Sequence, residues 1–259
     1  MKAHFPYFRL AILPAFLFCI SSSYVYAEQV YCQSPWLKNN GKIGGSINGG
    51  KGSFTIDIKQ VNQAAGNSCS ADLHIRANAP IAGQQINGSG NFRLLVNNSG
   101  SVLSGSFESA GLLGTIMQSV ISSNVNGYFL KPANIINEQA ASLPSQTYKA
   151  DVQASVSLPS SIPISQVKVD NAFLQSAART IGKAQPLKTQ MGTFSCVPVN
   201  YTGTLSSGQI LSGLPPVNKT PRKKQINVTE WYCPEKGLTM KMDIKSGSSL
   251  YSVAITYLN

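Results

Sequence analysis

Cysteines are the residues whose type and spacing point most directly to a chemistry in this sequence. Cys32 and Cys69 lie 37 positions apart, and so do Cys196 and Cys233. In an exported chain an even number of cysteines is typical of disulfide bonds. Four cysteines allow three pairings, and we predict closure within each half, because local closure is the least demanding if the halves fold separately. Each disulfide would then stabilise the fold by about 4 kcal/mol through the entropy of the unfolded chain.

Metal binding is the rival interpretation of the same cysteines. The sequence has no CxxC pair, and beyond residue 27 it holds a single histidine, His74. A zinc site needs closely spaced thiolate and imidazole ligands. We therefore expect no metal, and no other cofactor.

Catalytic motifs are equally sparse. His74 lies in ADLHIRA, where alternation places it on the opposite face from Leu73 and Ile75, as in an ordinary strand. There is no GxSxG elbow, HExxH pair, P-loop or dinucleotide-binding fingerprint. No pair of carboxylates is marked by its neighbours as a catalytic pair. We predict that the protein is not an enzyme and has no catalytic residues.

A basic cluster is the most distinctive surface feature. The segment NKTPRKKQ places Lys219, Arg222, Lys223 and Lys224 around a proline, and the net charge of the whole chain is +11. We expect an exposed loop here, between a strand at 209–214 and another that starts near Ile226. An anionic envelope surface, such as lipid head groups or sugars, would be attracted to it; a solvated loop is the alternative. Nucleic acid is not expected, because the chain is exported and no aromatic residues interleave with the basic ones.

An apolar stripe near the C-terminus has two interpretations. Met240 and Met242 share one face of an alternating segment, and Trp231 lies in the segment before it. The three side chains either belong to the core or line an apolar groove.

The first residues carry an export signal. Lys2 and Arg9 flank an apolar stretch that is followed by serines and the small-residue site Val25-Tyr26-Ala27. This three-part pattern is typical of a secretory signal peptide. We assign residues 1–27 to the signal and place the remaining chain in the periplasm or on the surface of a bacterium.

The remaining chain has the composition and periodicity of β-structure. Only 12% of all residues in the sequence are charged, too few for helices stabilised by ion pairs. Alternation of apolar and polar residues predicts half-buried strands. The predicted strands cover 51–61, 70–77, 91–96, 101–107, 148–158, 193–201, 225–232, 238–244 and 250–258. We predict a mainly β fold of antiparallel sheets, half-barrel or sandwich-like, with two disulfide-bonded halves.

Helices, turns and a domain boundary complete the predicted organisation. Helices are expected at 110–123, where apolar residues follow a 3.6-residue period, and at 171–182. Turns are expected at 48–50, 87–89, 98–100 and 245–247. The segment 131–145 loses the alternation and carries prolines at both ends. It divides an N-terminal β-rich domain, 28–137, from a C-terminal β domain, 146–259.

Part of the C-terminal half resembles a known group of proteins. The stretch Met191 to Cys196, with GTF, and the stretch Thr229 to Pro234, with EWYCP and then Gly237-Leu238, are similar to the GTF…EWYxPxxGL pattern of bacterial periplasmic proteins. Those families, TapB-like proteins among them, are similar to the lipoprotein-carrier (LolA-like) half-barrel. The resemblance implies a curved antiparallel sheet whose concave face is closed by helices.

Two classes of function remain open from the sequence. One is an envelope protein that binds or carries an apolar or lipid-like ligand. The other is a structural or interaction subunit of the cell surface, pilus-related or adhesive, which would assemble through an incomplete sheet edge. The sequence does not decide the oligomeric state.

Overall fold

The structure is a computed structural model, and it describes residues 31–65, 68–81, 84–97, 100–110, 116–126, 142–157, 163–213 and 216–259. The predicted signal peptide, 1–27, lies outside these residues, as does most of the predicted boundary segment, 131–145. Within the described ranges, no helix has the length and apolar character that crossing a membrane requires.

The described residues form seventeen β-strands and short 3-10 turns at Asn48–Gly50 and Pro234–Lys236. The strands are β1 (Lys42–Ile47), β2 (Gly52–Ala64), β3 (Ser68–Ile81), β4 (Gln84–Asn97), β5 (Gly100–Ala110), β6 (Ile116–Asn126), β7 (Ser142–Leu143), β8 (Thr147–Ser157), β9 (Pro163–Ser176), β10 (Arg179–Ile181), β11 (Gln185–Thr189), β12 (Gly192–Ser206), β13 (Gln209–Gly213), β14 (Pro216–Lys219), β15 (Lys223–Cys233), β16 (Leu238–Ser246) and β17 (Ser249–Leu258).

Antiparallel ladders connect the long strands in a closed circuit. β1 pairs with β2, and a meander continues through β3, β4, β5 and β6. β6 then pairs with β8, β8 with β9, and β9 with β12. β12 pairs with β15, which leads through β16 and β17 back to β1. The first and last of these strands therefore satisfy each other's backbone groups.

The predicted antiparallel β class is confirmed, and each predicted strand overlaps an observed one. Both predicted helices are wrong. The described part of 110–123 belongs to β5 and β6, and β6 pairs on both sides, with β5 and β8. The segment 171–182 contains the end of β9 and all of β10. In both places ladder pairing supplies the backbone partners that a helix would have supplied internally, so tertiary pairing overrides local propensity.

Glycines shape the N-terminal meander at positions where a side chain would not fit. The predicted turn at 87–89 is wrong, because these residues pair with β3 and β5 inside β4. A Cβ at Gly88 would collide with the ring of Phe107. Gly45, in the unpredicted strand β1, likewise makes room for the ring of Phe54. Aromatic rings that cover glycines on neighbouring strands replace the packing that the glycines lack.

The interior holds two apolar clusters. The larger one contains inward side chains of β1 to β5, together with parts of β16 and β17, and is joined by Tyr31, Trp36 and Leu37 from the chain before β1. The smaller one is built from β12, β15 and Leu143 of β7. The indole Nε1 of Trp36 donates a hydrogen bond to the carbonyl oxygen of Gly237 at 3.1 Å. This hydrogen bond therefore attaches the segment before β1 to the connection between β15 and β16.

The two disulfides are formed as predicted, Cys32 with Cys69 and Cys196 with Cys233. The first ties the segment before β1 to the start of β3. The second joins β12 to its neighbour β15. It lies one position beyond the pair Val197–Tyr232, which is the last pair of their ladder. The division into domains 28–137 and 146–259 stays a prediction.

Replacement of Gly105 by alanine tests whether the close approach of β4 and β5 is essential. A Cβ at Gly105 would collide with the backbone oxygen of Asn91, so we expect Gly105→Ala to cost about 3 kcal/mol of unfolding free energy in urea denaturation. Gly49→Ala is the control, because this turn glycine has φ +68° and open space around it. Its cost should be about 1 kcal/mol, from backbone strain alone. Equal costs would contradict the role of Gly105.

Candidate functional site

The predicted basic cluster lies at a kink in one long hairpin. β12 and β13 form one arm, interrupted at Ser207 and Gly208, and β14 and β15 form the other. At the kink, Ser207 N donates to the carbonyl oxygen of Arg222 at 3.0 Å, and Arg222 N donates to Ser207 Oγ at 3.0 Å. Gly208 has φ +71°, a conformation that favours glycine.

The four basic side chains are exposed, but not all of them lie in a loop. Lys219 ends β14, while Lys223 and Lys224 begin β15, opposite Ser206 and Leu205. Only Arg222 lies between strands. The ammonium of Lys223 is 6.0 Å from the centre of the Phe173 ring. The predicted loop is therefore shorter than expected, because β15 extends to Lys223 along the end of β12.

The predicted apolar groove residues divide between the two clusters. Met240 is fully buried in the larger cluster, and Trp231 packs against that cluster. Met242 instead packs against the smaller cluster, beside Ile244. A register shift between Trp231 and Tyr232 places Met240 at a bulge. Of the three side chains, Met240 also lines an open groove.

This groove, about 360 Å³ in volume, lies between the β11–β12 hairpin and strands β1, β16 and β17. Its apolar lining comes from Leu187, Met240, Ala254 and Ile255. Polar side chains surround them: Ser46, Lys188, Thr189, Gln190, Lys241 and Thr256. The volume is at the lower end of the range of about 300–1,000 Å³ for small-molecule sites.

Local contacts hold the hairpin that forms one wall of the groove. Thr189 Oγ1 donates to the carbonyl oxygen of Gly192 at 2.9 Å and accepts from Met191 N at 3.1 Å, which fixes the turn. At the base of the hairpin, the ammonium of Lys236 is 4.7 Å from the centre of the Phe194 ring. Across the groove, Lys241 Nζ pairs with Asp243 Oδ2 at 2.8 Å. Lys188 is exposed at the rim.

A buried polar cluster next to the smaller apolar cluster was missed from the sequence. Glu230 is only 1% exposed, and the hydroxyl of Tyr201 donates to its Oε1. Arg179, also buried, donates from Nε to the carbonyl oxygen of Pro144 at 3.1 Å and interacts electrostatically with Glu230. The alternation of residues along β15 indicates that Glu230 is buried, because Glu230 occupies the same face of the strand as Ile226 and Val228.

Burial dominates the electrostatics of this cluster. It raises the pKa of the Tyr201 phenol, and the neighbouring charge of Glu230 and the hydrogen bond to it raise the pKa further. Burial also lowers the pKa of Arg179, against the opposing effect of Glu230. Burial alone raises the pKa of Tyr232, which also lies on β15, to about 12. These contacts orient β7 and β10 on β12 and β15, and they do not open onto the groove lining.

The structure places His74 on β3, where its Nδ1 lies 2.9 Å from Oδ1 of Asn91 in an exposed contact. Among the described residues, no three His, Cys, Asp or Glu side chains are grouped so that they could hold a metal ion. The absence of enzymatic activity stays a prediction.

Comparison with known proteins gives few matches. No protein-family model matches the chain, and the curated proteins include no match. One similar solved structure is a Bacteroides fragilis protein described as exported and as having a YmcC-like fold: TM-score 0.45, 13% identity, covering 87% of this chain and 99% of that one. Another is a Parabacteroides distasonis protein described as a lipoprotein, with a TM-score of 0.43, 12% identity, and 86% and 96% coverage. Neither description mentions the TapB-like or lipoprotein-carrier families.

Two tyrosine-to-phenylalanine variants test the Tyr201–Glu230 hydrogen bond. Tyr201→Phe should cost about 2 kcal/mol of unfolding free energy, because it removes a bond to a buried carboxyl group. Tyr232→Phe is the matched control in the same region, because its hydroxyl has no hydrogen-bond partner among the described residues. We expect it to change stability by less than about 0.5 kcal/mol in urea denaturation. Equal effects of the two variants would contradict the assignment.

Alkaline pH should destabilise the fold. Tyrosine in the unfolded chain titrates near pH 10, whereas Tyr232 titrates near 12 in the folded protein. Above about pH 10 the unfolded state loses its proton first, so this contribution to stability is complete below pH 10. It falls by about 1.4 kcal/mol per pH unit until the folded pKa is reached. Urea denaturation between pH 9 and pH 12 measures the decline, which should be shallower in Tyr232→Phe. An unchanged slope would be inconsistent with the raised pKa.

Proposed function

We propose that this chain is an exported, non-enzymatic protein of the bacterial envelope that binds a small apolar or lipid-like ligand. The groove between the β11–β12 hairpin and β16–β17 is the observation on which this proposal rests. Its apolar side chains are surrounded by hydroxyl, amide and ammonium groups. Such a lining suits a molecule with an apolar part and a polar or anionic end.

Export is supported by the two disulfides together with the predicted signal. Structural disulfides persist in the periplasm and outside the cell, whereas the cytosol keeps thiols reduced. Both pairs are buried, with side chains at most 4% exposed. A location in the periplasm or on the cell surface is therefore part of the proposal.

The pattern of ladders counts against the alternative of a subunit that assembles through an incomplete sheet edge. β1 and β17 pair with each other, so neither offers an unpaired edge to a partner strand. Among the described strands β7, β11 and β14 each pair on one side only, but all three are short, and β11 and β14 each contain a proline and a lysine. Short strands with proline and lysine are typical of edges protected against pairing.

A groove-filling variant tests the proposed ligand site. The purified exported chain is first analysed by mass spectrometry for co-purifying lipid, and then titrated with a fluorescent fatty-acid analogue. Ala254→Trp fills the groove, so we expect it to weaken binding of the probe by about tenfold or more. Thr202→Trp is the control, because Thr202 is exposed on β12 opposite Asn227, away from the groove lining.

Binding by the wild type and the Thr202→Trp control, together with loss in Ala254→Trp, would support the proposal. Equal binding by all three proteins would place the ligand elsewhere. Absence of both co-purified lipid and probe binding would contradict an apolar ligand.

A further inference from the structure

One end of the strand circuit combines exposed apolar and basic side chains. β12 ends there and β15 begins there, and the turn between β16 and β17 lies at the same end. The segment before β1 packs at the opposite end, against Gly237. The two ends of the circuit therefore present different surfaces.

Apolar side chains are concentrated at this end. Three of the five exposed large hydrophobic side chains of the described residues lie here: Leu205 at 44%, Leu250 at 64% and Tyr251 at 51% exposure. They project from β12 and β17, close to the ends of these strands. Isolated exposed leucines are common on protein surfaces, but a group at one end of a fold is typical of an interaction surface.

Basic side chains stand directly opposite these apolar ones. The ladders pair Leu205 with Lys224, and Leu250 with Lys245. Lys223 and Arg222 follow at the same end, and all four basic side chains are exposed. Within the part of the chain that the structure describes, none of these four forms an ion pair; the ion pairs there involve other lysines and Arg76.

Two nearby carboxylates are already paired with other lysines. Asp170, beside the kink, pairs with Lys168 at 2.9 Å, and Asp243, on β16, pairs with Lys241 at 2.8 Å. The excess positive charge at this end therefore comes from Arg222, Lys223, Lys224 and Lys245, and it agrees in sign with the net charge of +11.

We propose that this end of the circuit, defined by Leu205, Leu250, Tyr251, Arg222, Lys223, Lys224 and Lys245, docks on the surface of an anionic phospholipid membrane. Lysine and arginine near a membrane are attracted to anionic head groups. Leucine and tyrosine side chains between them enter the boundary between head groups and acyl chains. An anionic polysaccharide would use the charges but would leave Leu250 and Tyr251 in water, so lipid fits the combination better. The docking does not depend on the groove.

Vesicle co-sedimentation of the purified exported chain tests this proposal. The vesicles consist of phosphatidylcholine alone or with about a quarter phosphatidylglycerol, at low and at physiological salt. We expect binding to the anionic vesicles, weakened by salt, and little binding to phosphatidylcholine alone. The double variant K223E/K224E should reduce the partition coefficient by about tenfold or more.

Matched controls distinguish binding through this surface from binding that depends only on the net charge of the protein. K38E/K59E changes the net charge by the same amount, but both residues are exposed away from this end, so it should retain most of the binding. Leu250→Ser should weaken binding to anionic vesicles, while Leu95→Ser, at a leucine that is 43% exposed on β4, should not. Circular dichroism establishes that each variant is folded.

Tryptophan fluorescence tests whether this end of the protein inserts into the membrane, without removing any charge. Tyr251→Trp should show a blue shift of tryptophan emission on anionic vesicles and none on phosphatidylcholine. Failure of the wild type to bind anionic vesicles at low salt, or equal loss in the two charge-reversal variants, would overturn the proposal. So would binding to a soluble anionic polysaccharide with no blue shift on vesicles.

Discussion

Pairing between β1 and β17 is the constraint on which the arrangement of the other strands depends. Residues 43–47 must meet residues 253–258, so almost the whole described chain is enclosed between them. The entropy cost of closing a long loop grows only slowly with its length, but the pairing must still be specific. Lys42 and Asn259 exchange backbone hydrogen bonds in both directions where the ladder ends. The β1–β17 ladder shifts its register between Gly44 and Gly45, where Thr256 of β17 has no opposite residue, whereas the β1–β2 ladder continues without a shift.

The segment before β1 reinforces this closure. Trp36 and Tyr31 are fully or almost fully buried, with their rings edge to face at 5.7 Å between centroids. The disulfide from Cys32 reaches β3, while the Trp36 hydrogen bond reaches the connection that leads into β16. One short segment is therefore attached to strands on both sides of β1, and it restricts where β1 can lie between β2 and β17.

The sequence contained enough information for the strands with clear alternation, but not for those shaped by their neighbours. Residues 225–232 alternate cleanly, since Ile226, Val228 and Glu230 face the interior and the residues between them do not. β1 was missed because its two glycines carry no pattern; the role of Gly45 becomes visible only beside the ring of Phe54. β6 was mistaken for a helix because its apolar residues fit a 3.6-residue period, whereas its pairing with β8, which begins only at Thr147, is a tertiary property that the local sequence does not show.

The candidate sites also differ in how far the sequence alone could predict them. The disulfides and the exposed basic cluster were predicted from residue type and spacing, which depend little on the rest of the fold. Of the three residues of the predicted apolar groove, only Met240 lies against the groove beside β11, whose other wall is a hairpin with a position relative to β16 and β17 that is a tertiary property. Closed pairing of the long strands leaves their backbone groups satisfied, so recognition by this fold has to use side chains at the ends of the circuit or at hairpins attached to it. The groove beside β11 and the basic, apolar end near β15 are the two such places that we propose, and β16 and β17 contribute residues to both of them.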